Sequence, residues 1–143
     1  MTAFHRILVG WDCSPGAAAA LRAAASLAAD DTVRVVALAV LKPASHAESR
    51  EEGTADLDAR REHAMKTFAE ARDALTPDRR ARVSLHFAES GDAARIVCEY
   101  AQQHGFDLLV LGRHGIGGIL HPRLGHVTAT AARTSSVPVL VAP

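Results

Sequence analysis

The sequence predicts a three-layer α/β domain, a doubly wound five-stranded parallel sheet with helices on both faces. Three observations predict it. Five short β-type runs alternate with helical stretches along the 143 residues. The inner runs are apolar almost throughout, as strands covered on both faces are. No repeat, low-complexity tract or linker divides the chain, so residues 1–143 read as a single domain, within the ~100–150 residues at which domains cluster. Strands separated by helices form parallel βαβ units with right-handed crossovers.

The first run is Arg6-Ile7-Leu8-Val9-Gly10-Trp11. Ser14-Pro15 then supplies an N-cap with proline at the first helical position. In the helix from about Pro15 to Ala29 the clearly polar residues are Arg22 and Ser26, one turn apart. So narrow a polar stripe predicts a mostly buried helix. Val33 to Leu41 is nearly all apolar and reads as a central strand. Lys42 to Thr54, with Pro43 and Gly53, reads as a polar surface loop.

Leu57, Ala64, Phe68, Ala71 and Leu75 recur at helical spacing, predicting a helix from about Ala55 to Leu75 that Thr76-Pro77-Asp78 stops. Arg79, Arg80 and Arg82 read as a solvated turn. Val83 to Phe87 alternates as a half-buried strand at or near a sheet edge. Gly91-Asp92 opens the next helix, with Ile96, Val97, Tyr100 and Ala101 facing inward and Gly105 ending it. Asp107 to Leu111 is a buried strand, followed by a glycine-rich loop and a short helix from about Leu124 to Arg133. Val137 to Val141 is the fifth strand. Alanine fills 29 of the 143 positions; it favours helices and lets them lie close to what they pack against.

Composition excludes several classes. Sixteen basic residues balance 16 acidic ones, without the basic excess of a nucleic-acid-binding domain. A hydrophobic fraction of 48% is too high for a disordered chain. No apolar run approaches the ~18 residues of a membrane span, and the first residues lack the basic-then-apolar shape of a signal peptide. Cys13 and Cys98 form no C-x-x-C pair, so reduced thiols and a cytoplasmic location are expected, with no nucleic-acid or membrane partner.

In sheets of this kind ligands bind outside the carboxyl ends of the strands, where strand order reverses. Gly10-Trp11-Asp12, Val40-Leu41 and the stretch from Gly112 onward end strands there. The last is the richest, Gly112-Arg113-His114-Gly115-Ile116-Gly117-Gly118, then Leu124-Gly125-His126-Val127-Thr128. Glycines let amides approach an anion, and a helix starting near Gly125 offers unpaired N–H groups and a positive dipole end. These residues read either as a phosphate cradle or as a plain βα loop whose glycines serve turning. There is no G-x-x-x-x-G-K-[ST], and no G-x-G-x-x-G after the first strand.

Asp12 reads as a ligand contact or as a cap for the following helix. Asp12-Cys13-Ser14-Pro15-Gly16 echoes a nucleophile elbow but lacks its first glycine, which leaves Ser14 as an N-cap. Cys13 reads as a small packing residue rather than a redox thiol. No cysteine or carboxylate accompanies His114, His121 and His126, so they read as solvated loop residues and no metal site is expected. No paired acid and base emerges, and dedicated catalysis is not expected.

The sequence resembles the universal stress protein family, whose nucleotide-binding members carry G-x2-G-x9-G-[ST] after the fourth strand. Gly112, Gly115 and Gly125 keep that register. Ile7-Leu8-Val9-Gly10-Trp11-Asp12 with Ser14, Gly91-Asp92, and Val137-Pro138-Val139-Leu140-Val141 extend the resemblance over the whole chain. It implies the adenine-nucleotide alpha-hydrolase-like fold with strand order 3-2-1-4-5. It also implies that Asp12, Gly10 and Trp11 line the adenosine end, and that Val40 contacts adenine through its backbone. Gly112, Arg113 and Gly115 would form the phosphate and ribose loop, and Gly125, His126, Val127 and Thr128 the helix start that holds phosphates.

Two positions depart from the family pattern. His126 stands where serine or threonine is usual, and Cys13 where glycine is usual. Members that bind no ATP generally lose the glycines kept here. The expected function is therefore that of a stress-response sensor or adaptor that binds an adenine nucleotide, ATP with Mg2+, and acts through protein partners. Any hydrolysis would be slow and incidental. The alternative is a dimeric interaction module of the same fold without nucleotide. A homodimer through Val137–Val141 is expected, because an apolar edge strand invites pairing about a two-fold axis and many family members dimerise there.

Overall fold

A computed structural model describes residues 4–43, 50–114 and 124–143. Among them the chain runs β1 (Arg6–Trp11), α1 (Pro15–Leu27), β2 (Arg34–Leu41), α2 (Arg50–Asp73), α3 (Pro77–Arg80) and β3 (Val83–Glu89). It continues through α4 (Ala93–Gln103), β4 (Leu108–Gly112), α5 (His126–Thr134) and β5 (Val139–Ala142). The five strands form one parallel sheet in the order β3-β2-β1-β4-β5. This is the order expected of the adenine-nucleotide alpha-hydrolase-like fold. Chain order reverses between β1 and β4, so the crevice at their carboxyl ends is the switch point where such sheets take ligands.

The strands are apolar on both faces because each face is covered. Ile7, Val9, Val35, Ala37 and Val110 turn to the side of α1 and α2. Leu8, Val36, Leu38, Leu109 and Leu111 turn to the side of α4 and α5. Ala17, Ala20, Ala24 and Ala25 are the buried small residues of α1, which packs across β1, β4 and β5. The carboxylate of Asp107 accepts from the amides of His5 and Arg6, at 2.9 and 3.2 Å, and pins the start of β1 to the start of β4.

Several boundaries differ from expectation, each for a physical reason. Helix α2 begins at Arg50, inside the stretch expected to be loop. Glu51 and Glu52 favour the positive end of a helix dipole there, and Gly53 costs a helix only about 1 kcal/mol. Thr76-Pro77-Asp78 stops α2 as expected, yet also starts the one-turn α3 with proline in its first turn. The inward residues of α4 are Ala94, Val97 and Ala101, while Ile96 is half-exposed. Strand β5 starts at Val139 rather than Val137. Pro138 has no N–H to donate, although its carbonyl still accepts from Leu109 N at 2.9 Å.

The arginines after α2 are not simply solvated. Arg80 Nε donates to Leu75 O at 2.9 Å. Arg82, with its side chain 11% exposed, donates to Ala28 O at 2.5 Å and reaches Asp31 Oδ1 at 3.1 Å. It ties the start of β3 to the turn after α1.

The β1–α1 turn carries the backbone conformation that glycine usually supplies, since Cys13 has φ of 68°. For an L-residue this left-handed region costs roughly 1–2 kcal/mol. Replacing Cys13 by alanine retains that strain, and replacing it by glycine removes it. Cys13→Gly is expected to be more stable than Cys13→Ala by about 1 kcal/mol, about 4 °C in Tm by thermal melting. Equal Tm values for the two variants would contradict the strained turn.

Candidate functional site

Helices in this fold differ in how their first amides are satisfied. The Oγ of Ser14 accepts from Ala17 N at 3.1 Å and caps α1. The carboxylate of Asp92 accepts from Arg95 N at 3.1 Å and caps α4. Helix α5 has Gly125 at its N-cap and no side-chain acceptor. The first amides of a helix have no partner within it, so the turn His126-Val127-Thr128 presents N–H groups and a positive dipole end together.

That turn opens onto a cleft of about 190 Å3 at the β1/β4 switch point. From β1 and the turn after it, Gly10, Trp11, Asp12 and Ser14 line the cleft. Leu38 and Val40 come from β2, and Ala93 and Val97 from α4. Gly112 and His114 form the β4 side, and Gly125, His126, Val127 and Thr128 the α5 side. One wall thus carries open amides and imidazoles, and the floor is apolar.

Of the described residues that the family resemblance assigns to the nucleotide, all but Arg113 line this cleft. The side chain of Arg113 is exposed, and its backbone donates to Ala142 O and accepts from Gly125 N, both at 2.9 Å. Gly115 and His121 lie outside the described residues.

Thr128 and Asp12 have commitments that the sequence did not reveal. Thr128 is buried, and its Oγ1 donates to Gly112 O at 2.7 Å. Its hydroxyl locks α5 to the end of β4. Asp12 Oδ1 accepts from Ser14 N at 3.0 Å and also from Ser14 Oγ. One carboxylate oxygen therefore braces the turn, and the exposed remainder of the group faces the cleft. Asp12 thus braces the residue that caps α1, rather than capping the helix itself, and it lines the cleft.

Sequence reasoning missed Gly16, Ala93 and His114. A Cβ on Gly112 would stand 2.5 Å from the backbone carbonyl of Gly16, and one on Gly16 would stand 2.2 Å from His114 O. The first turn of α1 and the end of β4 thus touch backbone to backbone, a contact between distant segments that no local spacing signals. Ala93 opens α4 with only hydrogen-bonding neighbours to mark it. His114 follows β4, half-buried, and was read as a solvated loop residue.

Among the described residues no group of three or more His, Cys, Asp or Glu side chains is placed to hold a metal ion. No helix among them is long and apolar enough to cross a membrane.

Comparison with known proteins agrees with the fold. No curated protein sequence matches the chain. Among solved structures, the universal stress protein UspA from Lactobacillus plantarum is similar with a TM-score of 0.82 and 23% identity, covering 98% of each chain. A universal stress protein in complex with cAMP has a TM-score of 0.63 and 24% identity, over 99% of this chain and 98% of that one. An Arabidopsis thaliana family protein with AMP bound has a TM-score of 0.65 and 16% identity, over 96% and 90%. The family model of universal stress proteins matches residues 3–143. The chain belongs to the universal stress protein family.

Proposed function

We propose that this universal stress protein binds an adenine nucleotide, ATP as first choice, in the cleft between β1 and β4, and works as a stress-response sensor or adaptor. The observation that carries the reading is the first turn of α5, without a side-chain cap, at a cleft with an apolar floor. Open amides at a dipole's positive end suit phosphates, and an apolar floor with a few convergent polar groups suits a base and ribose. Two proteins of the same fold carry cAMP and AMP, which supports the ligand class. The residues present fit such a ligand. Any Mg2+ would arrive with the phosphates, since the described side chains offer no cluster to hold it alone.

In this reading the protein is no dedicated catalyst, and any hydrolysis by water is slow and incidental. The hydroxyl of Ser14 is held between Asp12 Oδ1 and Ala17 N, and that of Thr128 is bound to Gly112 O. Neither is free to take up a phosphoryl group, which supports a binding role. The protein would then act by changing conformation and engaging protein partners in the cytoplasm, where the free thiols Cys13 and Cys98 stay reduced.

We also propose that two copies pair through β5. It is an edge strand of the sheet, and Leu140 in its centre is 39% exposed. Soluble proteins cover or charge such edges, and antiparallel pairing about a two-fold axis is the simplest closed solution.

Two measurements test these readings. Nucleotide released from the purified protein on denaturation identifies the native ligand, and calorimetry ranks ATP, AMP and cAMP. Ala93→Phe fills the mouth of the cleft from the first position of α4. It is expected to weaken ATP binding at least about tenfold, which is ~1.4 kcal/mol, with the melting profile preserved. Parental ATP affinity in that variant would move the site elsewhere, and no binding by the parent would favour the nucleotide-free interaction module. Leu140→Lys is expected to shift a dimeric parent towards monomer in light scattering at micromolar concentration. A monomeric parent overturns the edge pairing.

A further inference from the structure

We propose that His114 and His126 together form the anion-recognising wall of the cleft, so that nucleotide binding takes up protons and strengthens as pH falls. The proposal rests on the nucleotide reading above and goes further, because it assigns His114 a role and sets a condition on binding.

The argument starts from the charges that face the cleft. Among its described lining residues, three titrate: Asp12 after β1, His114 after β4 and His126 at the start of α5. Helix α4 contributes Ala93 and Val97, and β2 contributes Leu38 and Val40, none of them ionisable. No lysine or arginine among the described residues lines it. The positive charge available to phosphates from these residues is therefore that of helix amides and of two imidazoles. Asp12 is an acidic residue whose Oδ1 is already engaged by Ser14, so it supplies no positive charge to an anion.

The two rings come from different elements. His126 occupies the first helical position of α5, exposed beside the open amides. His114 is half-buried, and its backbone is fixed by the close approach of its carbonyl to Gly16. The backbone of Arg113, one residue earlier, accepts from Gly125 N at 2.9 Å, which holds the His114 segment against the start of α5. Both histidines therefore line the cleft beside the α5 amides, within which a phosphate would sit.

Imidazole changes charge between about pH 5 and pH 8. A neutral ring donates one N–H, and a protonated ring donates two and adds a charge-assisted bond to phosphate. Phosphate thus favours the protonated rings, so the complex holds more protons than the free protein. Affinity then rises as pH falls, and one proton taken up per ligand changes it about tenfold per pH unit.

The experiment measures ATP affinity by calorimetry between about pH 8 and pH 6 for the parent and for His114→Gln, His126→Ser and the double variant. The terminal phosphate of the nucleotide itself gains a proton near ~6, so the difference between parent and double variant carries the test. The parent is expected to gain at least about fivefold more affinity over that range than the double variant, with each single variant between them. A second readout compares proton counts: heats in buffers of different ionisation enthalpy should show more net proton uptake on binding ATP for the parent than for the double variant. Coincident pH profiles, or equal proton uptake, for parent and double variant would overturn the role of the histidines while leaving nucleotide binding intact. Absence of ATP binding by the parent at every pH would overturn the nucleotide reading, and this proposal with it.

Discussion

The contact on which the site depends is backbone against backbone, Gly16 at the start of α1 against Gly112 at the end of β4. A Cβ at either position would penetrate the opposing chain, at 2.2 to 2.5 Å. This approach draws the first turn of α1 over the switch point and fixes the distance between the β1 and β4 ends. The alanines of α1 extend the same principle down the helix, where Ala17, Ala20 and Ala24 leave no bulk between it and the sheet. Close packing of this kind tolerates little change in volume. The crevice is thus shaped by what its walls lack, and only then by what they carry.

The polar groups around that crevice divide into those already satisfied and those left open. Ser14 and Thr128 are its buried polar residues, and both hydroxyls are engaged within the protein. A buried hydroxyl without a partner costs free energy, so their pairing stabilises the walls and removes them as ligand donors. Gly125 has no side chain to cap the first α5 amides, and no described side chain caps them. A serine or aspartate there would satisfy one amide internally and compete with an anion. The same absence that weakens the helix end makes it receptive.

How much of this was legible in the sequence depends on the range of each signal. Strand positions and the order of elements follow from local periodicity, and Leu8, Val36 and Leu109 are buried as continuous apolar runs require. The strand ends that carry Gly10, Asp12, Val40 and Gly112 were readable, because a doubly wound sheet places its ligand there. Arg82 was misread because its partners, Ala28 and Asp31, lie over 50 positions away in the chain. Arg113 sits within the glycine-rich stretch, and no local signal showed that its backbone would bond to both Ala142 and Gly125. Thr128 shows the same limit, since a hydroxyl beside a phosphate-binding turn looks available until its bond to Gly112 O is seen.

Cys13 joins the local and the long-range constraints. The chain must leave β1 and enter α1 within Asp12-Cys13-Ser14, and the bonds from Ser14 to Asp12 close that turn. Closing it places Cys13 in the left-handed region, which an L-residue adopts only when the surroundings over-determine it. They do so here from two sides. The Cys13 side chain packs against the core beneath the sheet end, and Gly16 is held at Gly112 three residues later. The strain is therefore borne by the one turn that must position Asp12, Ser14 and α1 at once. Glycine would adopt the conformation more cheaply but would forfeit the packing, so at this position side-chain burial and backbone preference oppose each other.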